Sequence, residues 1–326
     1  MRIAIVSPAS SGRRSGNRHT AARWAKFLRE AGHRVAVATG WDSGDEDVLI
    51  ALHARKSYAS IERFHAARPG APLIVVLTGT DLYRDIRTEP DARRALELAS
   101  QLVVLQERGL RELAPRHRAK TRVIYQSADV RFRHTPPARR FRVAVIGHLR
   151  AEKDPFRAAL ALARLPEARQ IEVVHLGAAL SPDMRRSAEQ WMKRDPRYRW
   201  LGSKPHGETM RWLAGSHVLV VSSVMEGGAN VICEAARIGV PVLASRVSGN
   251  IGMLGSDYSG YFALSNDKAL AGLLARAARD SKYYHRLKDA VLARRRLFAP
   301  TAEGGAVRHL VGELGRRAER SSRRRD

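Results

Sequence analysis

Cysteine occurs once in the 326 residues, as Cys233, so no internal disulfide can form. A reducing compartment, the cytoplasm, is the expected setting. Long apolar runs are also missing. None approaches the ~18–20 residues that cross a bilayer, so membrane contact is not expected. The opening MRIAIVSPAS reads as a first strand, because no apolar core and cleavage site of a signal peptide follow. Acidic side chains are scarce, 32 Asp and Glu against 58 Lys and Arg, which leaves a net charge of +26. That imbalance invites a nucleic-acid partner, but the excess is spread. Residues 1–140 hold 26 basic and 14 acidic side chains, and residues 141–326 hold 32 and 18. A groove binder concentrates its charge, so a solvated Arg-rich surface is expected and no nucleic-acid partner. An anionic small substrate is the next reading.

What is present alternates. Arg2–Pro8, Arg34–Thr39, Val48–Ala54, Leu73–Thr78, Leu102–Gln106 and Arg122–Ser127 are short runs rich in Val, Ile and Leu. Most are apolar throughout, as strands covered on both faces should be. Amphipathic stretches such as Asn17–Gly32 and Ser57–Ala67 lie between them. After a proline- and arginine-rich pause at 130–140, the alternation resumes. Strands are predicted at Arg142–Gly147, Ile171–Gly177, Tyr198–Gly202, His217–Ser223 and Pro241–Ser245. Helices are predicted at Asp154–Leu165, Pro182–Arg194, Glu208–Ala214 and Ala229–Ile238. This is an α/β chain of two doubly wound, Rossmann-like domains, 1–135 and 136–299, facing a cleft. The chain reads as helical after Asn266 to about Phe298, and a helix at about 300–320 is expected to pack back on the first domain. The basic tail 316–326, RRAERSSRRRD, lacks apolar anchors and is expected to fray. Ligands of such sheets bind beyond the carboxyl ends of the strands, so the loops after strands carry the chemistry.

The segment SSVMEGGANVICEAARIGVPVLAS is the most informative one. A buried strand leads into Glu226, Gly227 and Gly228, and a helix then opens with Glu234 near its middle. Its first turn, at Asn230 and Val231, offers unpaired N–H groups and a partial positive charge to a phosphate. Glu226 and Glu234 suit sugar hydroxyls at either end of such a ligand, because carboxylates accept charge-assisted hydrogen bonds. The structural alternative is a helix-start acid plus a buried, paired Glu. Cys233, between apolar neighbours on that helix, reads as core.

In the first half, Gly12 and Gly16 bracket Arg13 and Arg14, and Asn17, Arg18 and Thr20 follow at a helix start. Such a loop can wrap an anion. It lacks the GxGxxG spacing of a dinucleotide site. Other strand ends carry His53, Arg55 and Lys56, then Thr78, Gly79, Thr80 and Asp81, then Gln106. The cations among them suit a phosphorylated acceptor better than a neutral alcohol, the alternative being ordinary surface arginines.

Glu226 and Glu234 resemble the E-x7-E signature of retaining nucleotide-sugar transferases of the GT-B fold. The resemblance implies that Glu226 holds the sugar and Glu234 the ribose. The stretch from Gly147 through His148, Arg150 and Lys153 resembles the family loop in which an Arg and a Lys clamp the donor diphosphate. Lys153 matches, His148 stands where the family has Arg, and Arg150 is the nearest substitute. Leu201–Gly207, with Lys204, occupies the place where the family meets the base. The set GRRSGNRHTA, LHARKS, LTGTDLY, YQSADV and EGGANVICEA is most similar to the selenosugar synthases of selenoneine biosynthesis. That implies transfer from a UDP-sugar, UDP-N-acetylglucosamine being the expected one, to selenophosphate. The catalytic set is then Glu226, Lys153 and Arg150. The donor set is Glu234, Gly227, Gly228, Asn230, Val231, Gly147, His148 and Lys204. The acceptor set is Gly12, Arg13, Gly16, Asn17, Arg18, His53, Lys56, Thr78, Gly79, Thr80 and Asp81, with Asp81 or His53 available as a base. No Asp-x-Asp metal loop stands beside a strand end, so no cofactor or metal is expected. The rival readings are an O-glycosyltransferase acting on a glycan, lipid or small alcohol, and a non-catalytic binder of anions or nucleic acid.

Overall fold

The structure is a computed structural model that describes residues 1–8 and 16–322. Its chain forms two compact units. Met1–Gln126 and the helix from Pro300 make one, and Ser127–Ala299 the other.

In the first unit the strands are β1 (Arg2–Val6), β2 (Arg34–Ala38), β3 (Val48–Leu52), β4 (Leu73–Leu77), β5 (Gln101–Val104) and β6 (Thr121–Val123). All pairings are parallel, in the order β2-β1-β3-β4-β5-β6. Alternate side chains point to opposite faces. Ile3, Ile5, Ile50 and Val76 therefore join a core with Trp24 and Leu28 of the helix Gly16–Arg29, and with Val307 and Val311 of the C-terminal helix. Val6, Leu49, Ala51 and Val75 join a second core with Phe64 and Leu96. With both faces covered, the strand interiors carry no polar alternation. The edge strand β2 departs from that expectation. It is mostly exposed, Val37 at 44%, because it pairs on one side only.

The second unit holds β7 (Phe141–Ile146), β8 (Ile171–Leu176), β9 (Tyr198–Trp200), β10 (Val218–Val221), β11 (Val242–Ser245) and β12 (Tyr261–Phe262). They are again parallel, ordered β12-β11-β10-β7-β8-β9. The chain winds outward from β7 through β8 to β9, then returns to the other side of β7 with β10. The order therefore reverses between β7 and β10, and ligands of doubly wound sheets collect beside such a reversal.

Three boundaries differ from those read in the sequence. The first unit ends at Gln126 rather than 135, because 134–135 hydrogen-bonds into the second unit: His134 Nε2 to the Ser216 carbonyl at 2.8 Å and Thr135 N–H to the Ala214 carbonyl at 2.9 Å. The helical stretch after Asn266 is two helices, Asp267–Arg279 and Ser281–Ala293. Asp280 breaks it by capping the second through Tyr283 N–H. The stretch expected to fray from Arg316 is helical to Ser322. Arg is a good helix former, so propagation continues without apolar anchors.

Candidate active site

Lys153 and Glu226 are 73 positions apart, and the order reversal brings them together. Each sits in the loop after one of the two strands that flank it. The Lys153 ammonium donates to Glu226 Oε1. The Glu226 carboxylate also accepts from Ser223 Oγ at 2.5 Å, and Glu226 is 8% exposed. The two loops are stitched by backbone. Val224 N–H donates to the Glu152 carbonyl at 2.9 Å, and Ser222 Oγ donates to the carbonyls of Lys153 and Asp154. Asp154 takes a left-handed conformation, φ 44°, that ends the short turn Ala151–Lys153 and presents Lys153 to Glu226.

The loop from Gly147 is held from below. A Cβ on Gly177 would lie 1.9 Å from the Gly147 carbonyl oxygen, so only glycine permits that approach. His148 Nδ1 accepts the N–H of Ala178 at 3.1 Å, and Leu149 N–H donates to the Ala178 carbonyl. His148 therefore fastens the loop. Arg150 is exposed. Beneath Gly147 lies His175, fully buried, which donates from Nε2 to the Gly147 carbonyl and accepts at Nδ1 from the Tyr198 hydroxyl, 2.9 Å away. Burial pushes its pKa down to about 4.

Gly227 and Gly228 lead into the helix Asn230–Ile238. Its N-cap, Ala229, has no side chain to satisfy the first N–H groups, and Val231 lies in that open turn. Among the described residues the buried Asn230 Oδ1 has no hydrogen-bond partner. Glu234 faces the preceding helix, His206–Ala214, and accepts from His206 Nε2 at 2.9 Å. Lys204, just before that helix, pairs with Glu208 at 3.2 Å.

In the first unit, Gly16 opens the helix Gly16–Arg29, with Asn17 half-buried and Arg18 exposed. Gly12 and Arg13 lie outside the described residues. His53 and Lys56 follow β3, Lys56 exposed and His53 buried at φ 74°. Thr78, Gly79 and Thr80 follow β4. Asp81 is 0% exposed and accepts the N–H groups of Ala54, Thr78 and Gly79. Those bonds tie the two strand ends together, so Asp81 has a structural use that a base on the substrate would not share. Among the described residues no three His, Cys, Asp or Glu side chains gather to hold a metal ion.

Several residues of the site were not singled out within the segments the sequence marked. Ser222, Ser223 and His206 act through pairings set by strand order. Gly249, at the start of the helix Ser248–Leu254, approaches so closely that a Cβ there would sit 1.7 Å from the Glu226 carbonyl oxygen. The run SGN after β11 marks a helix start, but nothing in it names Glu226 as the neighbour.

The family model described as glycosyl transferases group 1 matches residues 126–294. Among solved structures, Anabaena HepE in complex with UDP-glucose is similar with a TM-score of 0.77 and 19% identity, covering 96% of this chain and 100% of that one. Sucrose-phosphate synthase from Thermosynechococcus elongatus is similar with a TM-score of 0.79 and 16% identity, covering 96% and 98%. A glycosyltransferase from Rickettsia africae matches at a TM-score of 0.73 and 13% identity, over 96% and 98%.

Proposed function

Because the chain belongs to the group 1 glycosyl transferases and is a glycosyltransferase of the GT-B fold, we propose that it moves a sugar from a UDP-sugar, UDP-N-acetylglucosamine, to selenophosphate, in selenoneine biosynthesis. The observation that carries the donor half is the Lys153–Glu226 pair at the order reversal of the second sheet. A diphosphate laid over the open first turn of Asn230–Ile238 would meet N–H donors and the helix's positive end. Lys153 would neutralise the charge that grows on the diphosphate as it leaves, with exposed Arg150 as a second cation. Glu226 would hold the sugar's hydroxyls, and Glu234, steadied by His206, the ribose. HepE, one of the similar structures, is in complex with UDP-glucose, which supports a uridine donor.

A highly anionic acceptor is supported by the cations after β1 and β3, Arg18, Arg55 and Lys56, and by the resemblance of the sequence motifs to those of selenosugar synthases. In the transfer, a selenium lone pair forms the Se–C1 bond. The C1–O bond to the diphosphate breaks, and its electron pair leaves with UDP. Loss of phosphate from selenium then consumes one water. Anionic selenium is a strong enough nucleophile to attack without a dedicated base.

The test is incubation of the full chain with UDP-N-acetylglucosamine and fresh selenophosphate under anaerobic, reducing conditions, read by mass spectrometry. UDP together with a selenium-containing sugar, absent without selenophosphate, is the expected result. UDP-sugar binding or slow hydrolysis without selenium incorporation would move the acceptor to alcohols and lipids. No binding of UDP-sugar at all would overturn the reading of Glu226 and Glu234.

A further inference from the structure

The ends of β3 and β4 carry a hydrogen-bond chain that the donor site does not use. His53 is 3% exposed and sits at φ 74°, a conformation that side chains with a Cβ adopt rarely and that gathers at functional positions. Both ring nitrogens are engaged. The backbone N–H of Lys56 points at Nδ1, 3.3 Å away, so Nδ1 presents a lone pair and the ring proton is on Nε2. Nε2 lies 2.9 Å from Thr80 Oγ1 and donates to it. Burial lowers the His53 pKa, against a smaller opposing pull from Asp81, so the ring is neutral at pH 7.

A hydroxyl that accepts from an imidazole N–H keeps its own proton to give. Among the described residues Thr80 gives it to no protein acceptor. Of the nearby carboxylates, Asp81 is taken up by backbone, while Asp85 Oδ2 lies 3.9 Å from His53 Nε2 and has no hydrogen-bond partner among the described residues. Asp81 accepts the backbone N–H groups of Ala54, Thr78 and Gly79, and Asp85 meets Arg55 at 3.1 Å and Arg84 at 3.0 Å. The positive charges of Lys56 and Arg55 lie close enough to act on the His53 ring. Thr80 also stands immediately before a π-helical turn, Asp81–Asp85, a form found frequently at functional sites.

We infer that the Thr80 hydroxyl donates a hydrogen bond to the phosphoryl group of the anionic acceptor, and that His53 is the positioning residue that makes Thr80 a donor. This rests on the proposed reading of the first unit as the acceptor-binding half. It separates two residues that the sequence placed together: Thr80 touches the ligand and His53 acts through it.

The test uses the full chain, with inorganic phosphate as a binding probe by calorimetry and selenophosphate as substrate. Thr80→Val removes the proton at constant shape and is expected to weaken phosphate binding and raise the selenophosphate KM roughly 10-fold, leaving the UDP-sugar KM unchanged. Thr80→Ser is expected to restore both. For His53 two variants are informative. His53→Gln places an amide N–H near the Nε2 position and keeps the donation to Thr80. His53→Asn accepts from Lys56 N–H but does not reach Thr80, although Asn tolerates positive φ better. His53→Gln is therefore expected to keep more phosphate affinity than His53→Asn, an order opposite to that of backbone fit. Unchanged phosphate binding and unchanged selenophosphate KM in Thr80→Val overturn the inference and leave the transferase reading standing. Loss of phosphate binding in Thr80→Val, in a chain that never incorporates selenium, supports the anion subsite and overturns the selenophosphate assignment instead.

Discussion

At the scale of single residues, the two carboxylates of the E-x7-E segment are proposed to do different work and should fail differently. Glu226→Gln keeps the shape but loses the charge that holds Lys153 and Ser223. It is expected to lower kcat/KM for the donor roughly 10- to 150-fold, from the ~1.5–3 kcal/mol of a charged hydrogen bond, with UDP affinity little changed. Glu234→Gln is expected to weaken UDP itself by a similar factor. Calorimetry with UDP beside initial rates separates the two, and wild-type behaviour in both variants would remove the site assignment. Both residues and Lys153 were singled out in the sequence, the carboxylates because strand, glycine pair and helix start follow each other within a dozen positions. The partners Ser223 and His206 were not, since an ordinary serine and a histidine at a helix start signal nothing until the fold places them.

At the scale of elements, the site depends on how closely backbones approach. Gly249→Ala would put a Cβ 1.7 Å from the Glu226 carbonyl, so the helix Ser248–Leu254 must withdraw. Overpacking of this kind costs ~1–3 kcal/mol, and the expected result is a lowered Tm together with lost transferase activity. Recovery of the wild-type rate would show that Glu226 does not depend on that helix. A pH effect belongs to β8. His175 is neutral in the folded chain, its pKa held at about 4 by burial, against an ordinary 6.5. Between those values the unfolded chain binds the extra proton. Stability from this group is therefore complete above pH 6.5 and is lost as the pH falls toward 4, in total about 3 kcal/mol. The urea midpoint is expected to drop from pH 7 to pH 5, and less so in His175→Gln. An equal drop in that variant would place the acid sensitivity elsewhere, for instance at His217, whose pKa burial likewise lowers to about 4.

At the scale of the whole molecule, the C-terminal helix belongs to the first unit although the second lies between them in sequence. Glu303, 1% exposed, accepts from Trp24 Nε1 at 2.8 Å and from Arg23 at 2.5 and 3.0 Å. Glu303→Ala leaves a guanidinium and an indole N–H unpaired, and is expected to cost about 3 kcal/mol, seen as a fall in the thermal midpoint. An unchanged midpoint would mean that the apolar contacts of Val307, Leu310 and Val311 hold the helix alone. By itself the sequence determined the α/β class, the duplication and the strand–glycine–helix segment that carries Glu226 and Glu234. Apolar runs, helix periodicity and glycine-led helix starts are written within about ten residues. Only the tertiary structure decided which strand lies beside which. Order β12-β11-β10-β7-β8-β9 puts the loops of β7 and β10 side by side and so sets Lys153 on Glu226 across 73 residues. In the same way it made Asp81 a brace between strand ends and set His53 Nε2 2.9 Å from Thr80 Oγ1. Those outcomes depend on contacts between segments far apart in the chain, which local propensity does not encode.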